Sequence, residues 1–105
     1  MMKFEHIYLS DSYDREEYLC NIIDDYNKNV GYCKYYKLNS YDDTVYIEYI
    51  FINEDDRRKK YATQMVVELN KNHKLEWDYR FTKIGRHWYN GLIKNGIIVI
   101  HNYIY

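Results

Sequence analysis

No stretch of this 105-residue chain is apolar for long enough to span a membrane, and no basic-then-apolar segment opens it. A soluble cytoplasmic protein is the expectation. Cys20 and Cys33 are too few for a disulfide framework, and with four scattered histidines they make no zinc spacing, so no metal site is expected. Proline is missing altogether, and no repeat, low-complexity tract or linker divides the chain. One domain over 1–105, with a modest core, follows from that length. A large net charge is missing too: the formal value is −1, which argues against a general nucleic-acid binder.

What is abundant is tyrosine, with 15 copies. Tyr is a β-former with an apolar body, so much of the chain should be sheet and surface filling. The charge is also unevenly distributed. Residues 1–56 carry 13 acids and 5 bases, whereas residues 57–105 carry 10 bases and 3 acids. Either the halves serve oppositely charged ligands, or they intermix in space and neutralise each other.

Along the chain, Phe4 to Leu9 reads as a first strand ended by "SDSYD". Ser12 or Asp14 can cap a following helix in which Tyr18, Ile22 and Tyr26 recur at i, i+4 and i+8, up to "NKNVG". Val30 to Leu38 and Thr44 to Ile52 read as an antiparallel hairpin. The second of these strands is apolar on both faces, with Val45, Ile47, Tyr49 and Phe51 on one and Tyr46, Ile50 and Ile52 on the other. It should therefore be central and covered on both sides. From Tyr61 the period turns helical, with Tyr61, Met65, Leu69, Ala62 and Val66 in one stripe. Leu75, Trp77, Tyr79 and Phe81 then alternate with charges as a half-buried strand. Thr82 can cap a last helix carrying Ile84, Trp88 and Leu92, which Asn95-Gly96 ends. "IIVIHNYIY" closes the chain as a strand. The expected order is β-α-β-β-α-β-α-β, an α/β sandwich.

The junction "YIFINEDDRRKKYATQMVVEL" sets three acids and four bases between a strand and a helix. One reading is a solvated corner that caps the helix. The other is an anion site, because a loop entering a helix offers unpaired N–H groups and a positive dipole end.

"INEDDRRKKYATQMVVEL" resembles the acetyl-coenzyme A motif of the GNAT acetyltransferases, in which an apolar strand end leads into Arg/Gln-x-x-Gly-x-Gly/Ala and an amphipathic helix. The pattern falls on Arg57, Lys60 and Ala62, with Ile52 as the strand's last core residue. "TKIGRHWYNGLIKNGI" looks like the family's last helix, and "VGYCKYYKL" is similar to the strand before the central one, so the resemblance covers roughly residues 30–100. It implies a mixed, mostly antiparallel sheet flanked by helices, acetyl-CoA as acyl donor and an amine as acceptor. Arg57, Arg58, Lys59 and Lys60 would add charge beside the coenzyme A pyrophosphate, with Tyr61, Ala62 and Thr63 at the helix start. Backbone groups near Phe51 and Ile52 would hold the thioester carbonyl. One position departs from the motif: Lys60 stands where the family has its first glycine. If that site needs a left-handed backbone, Lys costs on the order of 1 kcal/mol there.

Amide formation from a thioester needs a neutral amine, a polarised carbonyl and a proton for the leaving thiolate. Glu48 is the only charge in its apolar strand and is the candidate base, since desolvation raises a carboxylate's pKa. The other reading of Glu48 is a residue at a polar sheet edge or paired with Lys or Arg. Tyr89 matches the family's helix tyrosine, its usual general acid, and Asp78 is a second candidate base. The histidines show no partner spacing, and neither cysteine has a Cys/His/Asp arrangement. The acceptor is expected to be cationic, given the acidic first half: a protein lysine, a protein N-terminus or a polyamine. The rival reading is a binding or inhibitor protein, phage-like in size, that keeps the fold without the chemistry and acts through protein–protein contact. The apolar last strand should be covered either in a homodimer or by insertion between neighbouring strands of its own sheet.

Overall fold

A computed structural model describes residues 2–12, 14–38, 43–77 and 83–96. Four long strands, β1 (Lys3–Ser12), β2 (Arg15–Ile23), β3 (Asn29–Leu38) and β4 (Thr44–Ile52), form an antiparallel meander. A single 3₁₀ turn (Glu54–Asp56) and helix α1 (Tyr61–Asn70) carry the chain over to β5 (Lys74–Trp77), which pairs parallel with β4. Helix α2 (Lys83–Lys94) follows. The mixed, mostly antiparallel sheet flanked by helices is thus found, with strands in the order β1-β2-β3-β4-β5. No helix among the described residues is long and apolar enough to cross a membrane.

The early helix is not found; its residues form β2. The spacing that suggested it is ambiguous, because residues four apart share a face in a strand as well as in a helix. Cys20 lies between Tyr18 and Ile22, and all three point the same way, as period two requires, while Tyr26 lies beyond the strand and is 91% exposed. Arg15–Ile23 is hydrogen-bonded on both edges, to β1 and to β3. That satisfies its backbone as fully as a helix would. The chain therefore turns back directly between Ser12 and Arg15 instead of laying a helix on the sheet.

Cross-strand partners share a face, so the registers define both sides of the meander. Three rows share the face that carries the core, with His6 and Tyr8 of the edge strand still exposed: Phe4–Ile22–Gly31–Ile52, His6–Cys20–Cys33–Ile50 and Tyr8–Tyr18–Tyr35–Ile47. Against them α1 packs Met65, Val66 and Leu69, joined by Val45, Leu75 and Leu92. Each such side chain contributes roughly 1.5–3 kcal/mol by leaving water. The Tyr35 hydroxyl shares a 2.8 Å hydrogen bond with His6 Nδ1. Burial pushes the His6 imidazole down and the Cys20 thiol up to about 12, so the imidazole stays neutral and the thiol protonated. Cys33 is buried as well, and burial raises its thiol in the same way.

The opposite face carries Glu5–Asn21–Tyr32–Phe51, Ile7–Leu19–Lys34–Tyr49 and Ser10–Glu17–Tyr36–Tyr46. Here the expectation for β4 needs correction. Its alternation is broken at Glu48, which has no partner between the Ile47–Tyr35 and Tyr49–Lys34 pairs and forms a β-bulge. The core set of β4 is therefore Val45, Ile47, Ile50 and Ile52. Tyr49 and Phe51 turn to the other side and remain 41% and 42% exposed. The strand is flanked on both edges but covered on one face. The expected final strand over 97–105 lies outside the described residues.

Gly31 lies where β3 and β4 come closest. A Cβ there would strike the backbone carbonyl of Phe51 and crowd Ile52 at both its Cδ1 and its Cα, and of these only the Ile52 side chain can rotate away. Gly31→Ala should destabilise the fold by about 2 kcal/mol, lowering the thermal midpoint by roughly 10 °C. An unchanged midpoint in calorimetry would mean that the two strands separate at no cost.

Candidate functional site

At the end of β4 the chain is pinned before it enters α1. Asn53 N–H donates to the Val30 carbonyl at 2.8 Å, and its side-chain amide donates to the Asn29 carbonyl at 3.1 Å. Asp56 is buried at 4% exposure and accepts from Lys28 at 3.2 Å, across in the β2–β3 turn, with Lys59 at 3.5 Å. Burial alone would raise the Asp56 carboxyl. The hydrogen bond and charge of Lys28, with those of Lys59, outweigh burial and hold the group below its ordinary 3.8. The acid nearest the bases thus faces inward and anchors the loop, while Glu54 and Asp55 stay at the surface.

Beyond this anchor, Arg57, Arg58, Lys59 and Lys60 are all exposed. Arg58 and Lys60 both adopt the left-handed region, with φ of 68° and 63°. The sequence made that conformation the test of Lys60, and Lys60 adopts it in full, as the N-cap of α1. The strain is of the order of 1 kcal/mol at each residue. Left-handed residues among ordinary ones turn successive backbone N–H groups toward a common point, which is how a peptide makes a concave anion site. No side chain caps α1, so the first-turn N–H groups of Tyr61, Ala62 and Thr63 have no capping partner among the described residues. The loop therefore resembles a cradle more than a solvated corner, since a capping corner would have used its acids on those donors.

Individual side chains refine this picture. Arg57 is partly engaged, donating Nε–H to the Ile52 carbonyl at 3.1 Å with its guanidinium 5.9 Å from the Phe51 ring. The Ile52 carbonyl is therefore occupied. The Thr63 hydroxyl accepts from Trp88 Nε1 at 2.9 Å, which ties α2 to the first turn of α1 and leaves the hydroxyl proton and the Thr63 backbone N–H as donors. Along β4 the described ladder with β5 ends at Ile47–Trp77, and Glu48–Ile52 continue past it.

Glu48 is the bulged residue and points to the open face. Its carboxylate accepts from Lys34 at 3.1 Å and faces Arg15 at 3.6 Å, while Lys34 also reaches Glu17 at 3.8 Å. Arg15 in turn lies 4.2 Å over the Tyr36 ring. These partners were invisible in the sequence, because Arg15 was read as part of a helix and Lys34 meets Glu48 only through the β3–β4 register. Tyr89 stands on the other side. Its ring meets Trp77 edge-on at 5.2 Å, and Trp77 shares the core face with Ile47. Burial, then the charge of Glu76, raises the Tyr89 phenol against the opposing pull of Arg86, so it stays protonated at neutral pH. Asp78 lies outside the described residues. Among the described residues no group of three His, Cys, Asp or Glu side chains could hold a metal ion.

The Asp56 anchor has a pH signature. A carboxylate with a depressed folded pKa contributes stability that is present above its unfolded value and lost as pH falls through the folded one. Asp56→Asn should lower the urea midpoint near neutral pH, and the gap to wild type should close as pH drops below 3.8. An equal gap at about pH 7 and about pH 3 would remove the Asp56 charge as the tie.

Residues 2–85 match the model of the acetyltransferase (GNAT) family. No curated protein matches the chain by sequence. Among solved structures, ribosomal-protein-alanine N-acetyltransferase from Brucella melitensis biovar Abortus 2308 is similar at a TM-score of 0.61, with 18% identity over 85% of this chain and 68% of its own. AAC(6')-Iy, solved with the bisubstrate analog CoA-S-monomethyl-acetylneamine, reaches a TM-score of 0.51, with 15% identity over 85% of this chain and 67% of its own. At such identities these two structures speak for the fold alone. The family model, however, spans most of the sequence, and the chain belongs to the acetyltransferase (GNAT) family.

Proposed function

We propose that the protein is an N-acetyltransferase that moves acetyl from acetyl-coenzyme A to a primary amine by direct attack. The observation that carries this reading is the cationic loop in which left-handed Arg58 and Lys60 lead into an uncapped helix. Its residues fit a polyanion: exposed bases supply charge and the N–H groups of Tyr61, Ala62 and Thr63 supply directed donors. Acetyl-coenzyme A, when bound, supplies an activated acyl group and a thiolate leaving group.

The remaining work falls to the chain. Glu48 would take the proton from the acceptor's ammonium through a water, leaving a neutral nitrogen to attack the thioester carbon. Backbone groups near Phe51 and Ile52 would hold the carbonyl oxygen as it gains charge. Tyr89 would give its proton to the departing thiolate. Glu48 and Tyr89 stand on opposite faces of the sheet. Nitrogen and sulfur are bonded to the same carbon during transfer, so the thioester would have to lie between the two faces, where Glu48–Ile52 run past the end of the described β4–β5 ladder, with Glu48 acting through a water. Lys34 and Arg15 hold the Glu48 carboxylate in place, and a cationic acceptor would compete with them for it.

The binding step is tested by calorimetry with coenzyme A. Arg57→Glu with Lys60→Glu should abolish binding, because two charges are reversed beside a pyrophosphate. Lys60→Gly should change affinity by less than about tenfold, since relief of left-handed strain is offset by a lost charge and added backbone entropy. A gain well beyond tenfold would mean that Lys60 obstructs the cradle, and would favour a protein that acts by binding a partner. No binding at millimolar coenzyme A would end the enzyme reading.

The chemical step has its own test. Glu48→Gln and Tyr89→Phe should each keep the fold and coenzyme A affinity while turnover falls by ~10²-fold or more. Wild-type rates in either variant would remove that residue from the reaction. A Tyr89→Phe protein that loses stability but not turnover would assign the hydroxyl to packing.

A further inference from the structure

The turn between β2 and β3 reaches the cationic loop from 28 residues away in the chain. Its own shape is fixed locally. The Asp24 carboxylate accepts from the backbone N–H groups of Tyr26 and Lys28, each at 2.9 Å, and Asp24 N–H donates to the Lys28 carbonyl at 2.9 Å. Asn27, a residue type that tolerates it, takes the left-handed conformation between them with φ of 64°. Both backbone groups of Lys28 are therefore bonded to Asp24, and its side chain leaves the turn from a set position. The Asn53 bonds to Asn29 and Val30 fasten the next two residues of the same segment to the end of β4.

From that position the Lys28 ammonium donates to Asp56 Oδ2 at 3.2 Å, while Lys59 stands 3.5 Å from the other oxygen, Oδ1. Both lysine side chains are half exposed, and the carboxylate between them is buried. A buried carboxylate left without a partner is strongly destabilising, so an ammonium has to neutralise it. Lys28 is the closer of the two. The three groups together carry one net positive charge, which is the surplus of Lys59 and lies beside Arg57, Arg58 and Lys60. Without the Lys28 ammonium that surplus vanishes, because Lys59 alone has to neutralise Asp56. Lys59 also sits between left-handed Arg58 and Lys60, so drawing its side chain inward acts on the backbone that forms the cradle.

We propose that Lys28 is a positioning residue for acetyl-coenzyme A: by neutralising Asp56 from the β2–β3 turn, it leaves the charge of Lys59 to the pyrophosphate and holds the 57–60 backbone in shape. This rests on the acetyltransferase reading above and extends its binding site to a turn outside the strand-to-helix motif. Lys28 itself touches no ligand; it acts through Asp56 and Lys59.

The test is the coenzyme A affinity of the full chain, measured by calorimetry well below each variant's melting midpoint so that only folded protein is titrated. Lys28→Met should raise the Kd by about tenfold, the effect of one charge lost near a pyrophosphate in a partly screened site. Lys28→Arg keeps the charge and the reach, and should return the Kd to within about twofold of wild type. In turnover the KM for acetyl-coenzyme A should rise with the Kd while kcat changes by less than about twofold, since neither Glu48 nor Tyr89 is altered. In an Asp56→Asn background there is no buried charge to neutralise, and Lys28→Met should then change the Kd by less than about twofold. An unchanged Kd in Lys28→Met would overturn the proposal and leave Lys28 as a tie of the fold. An equal rise with and without the Asp56 charge would overturn it too, because Lys28 would then act on the ligand through space. Failure of the parent reading is recognised separately, by a wild-type chain that binds no coenzyme A. In that event the loop is read alone, from the heteronuclear NOE of the Arg57–Thr63 amides. Values that fall in Lys28→Met and recover in Lys28→Arg would sustain the positioning of the loop, and unchanged values would remove it.

Discussion

One residue left out of the β3–β4 ladder, Glu48, decides which side chains of β4 meet the core. A strand has a side-chain period of two, so one inserted residue exchanges every later side chain between faces. Upstream of the bulge, β4 sends Val45 and Ile47 to the core; downstream it sends Ile50 and Ile52. The same exchange places Glu48 and Tyr49 side by side on the open face, next to Lys34. Had β4 been regular, Ile50 and Ile52 would have lain on the open face, and Tyr49 and Phe51 would have been the core residues under α1.

The loop after β4 carries backbone strain at two residues. Arg58 and Lys60 each carry a Cβ in a conformation that glycine adopts freely. A domain of this size has only a few kcal/mol of net stability, so two such residues are a sizeable local cost. The buried Asp56, tied to Lys28 and Lys59, and the Asn53 bonds to β3 offset it by fixing both the loop and its approach. Lys60 thus keeps the backbone shape for which glycine is usual and brings a charge that glycine lacks. Of the loop's three acids only Asp56 turns inward as scaffolding, while the bases stay at the surface, Lys59 paired with Asp56 and Arg57 bonded to the Ile52 carbonyl.

The direct β1–β2 turn has a consequence far from itself. With no helix between these strands, both described helices lie against the core face, through α1 and the Trp77–Trp88 and Trp77–Tyr89 contacts of α2. The other face keeps an exposed aromatic surface, partly screened where Arg15 covers Tyr36 and Arg57 approaches Phe51. The direct β1–β2 connection and the openness of this face therefore have one structural origin.

Much of this was legible in the amino-acid order. Thr44–Ile52 as a strand, Tyr61 as the start of a helix and Gly96 as a left-handed stop after the last helix all hold, because each depends on local chemistry. The strand-to-helix motif with its four bases pointed to the family by the same route. Where the reading failed, the deciding interactions were between residues distant in sequence. Tyr18, Cys20 and Ile22 satisfy two periodicities, and only pairing with both β1 and β3 selects the strand. The bulge at Glu48, the partners Lys34 and Arg15, and the inward turn of Asp56 toward Lys28 are likewise matters of register and burial. No local pattern encodes them, because each is set by what another segment places opposite once the sheet has formed.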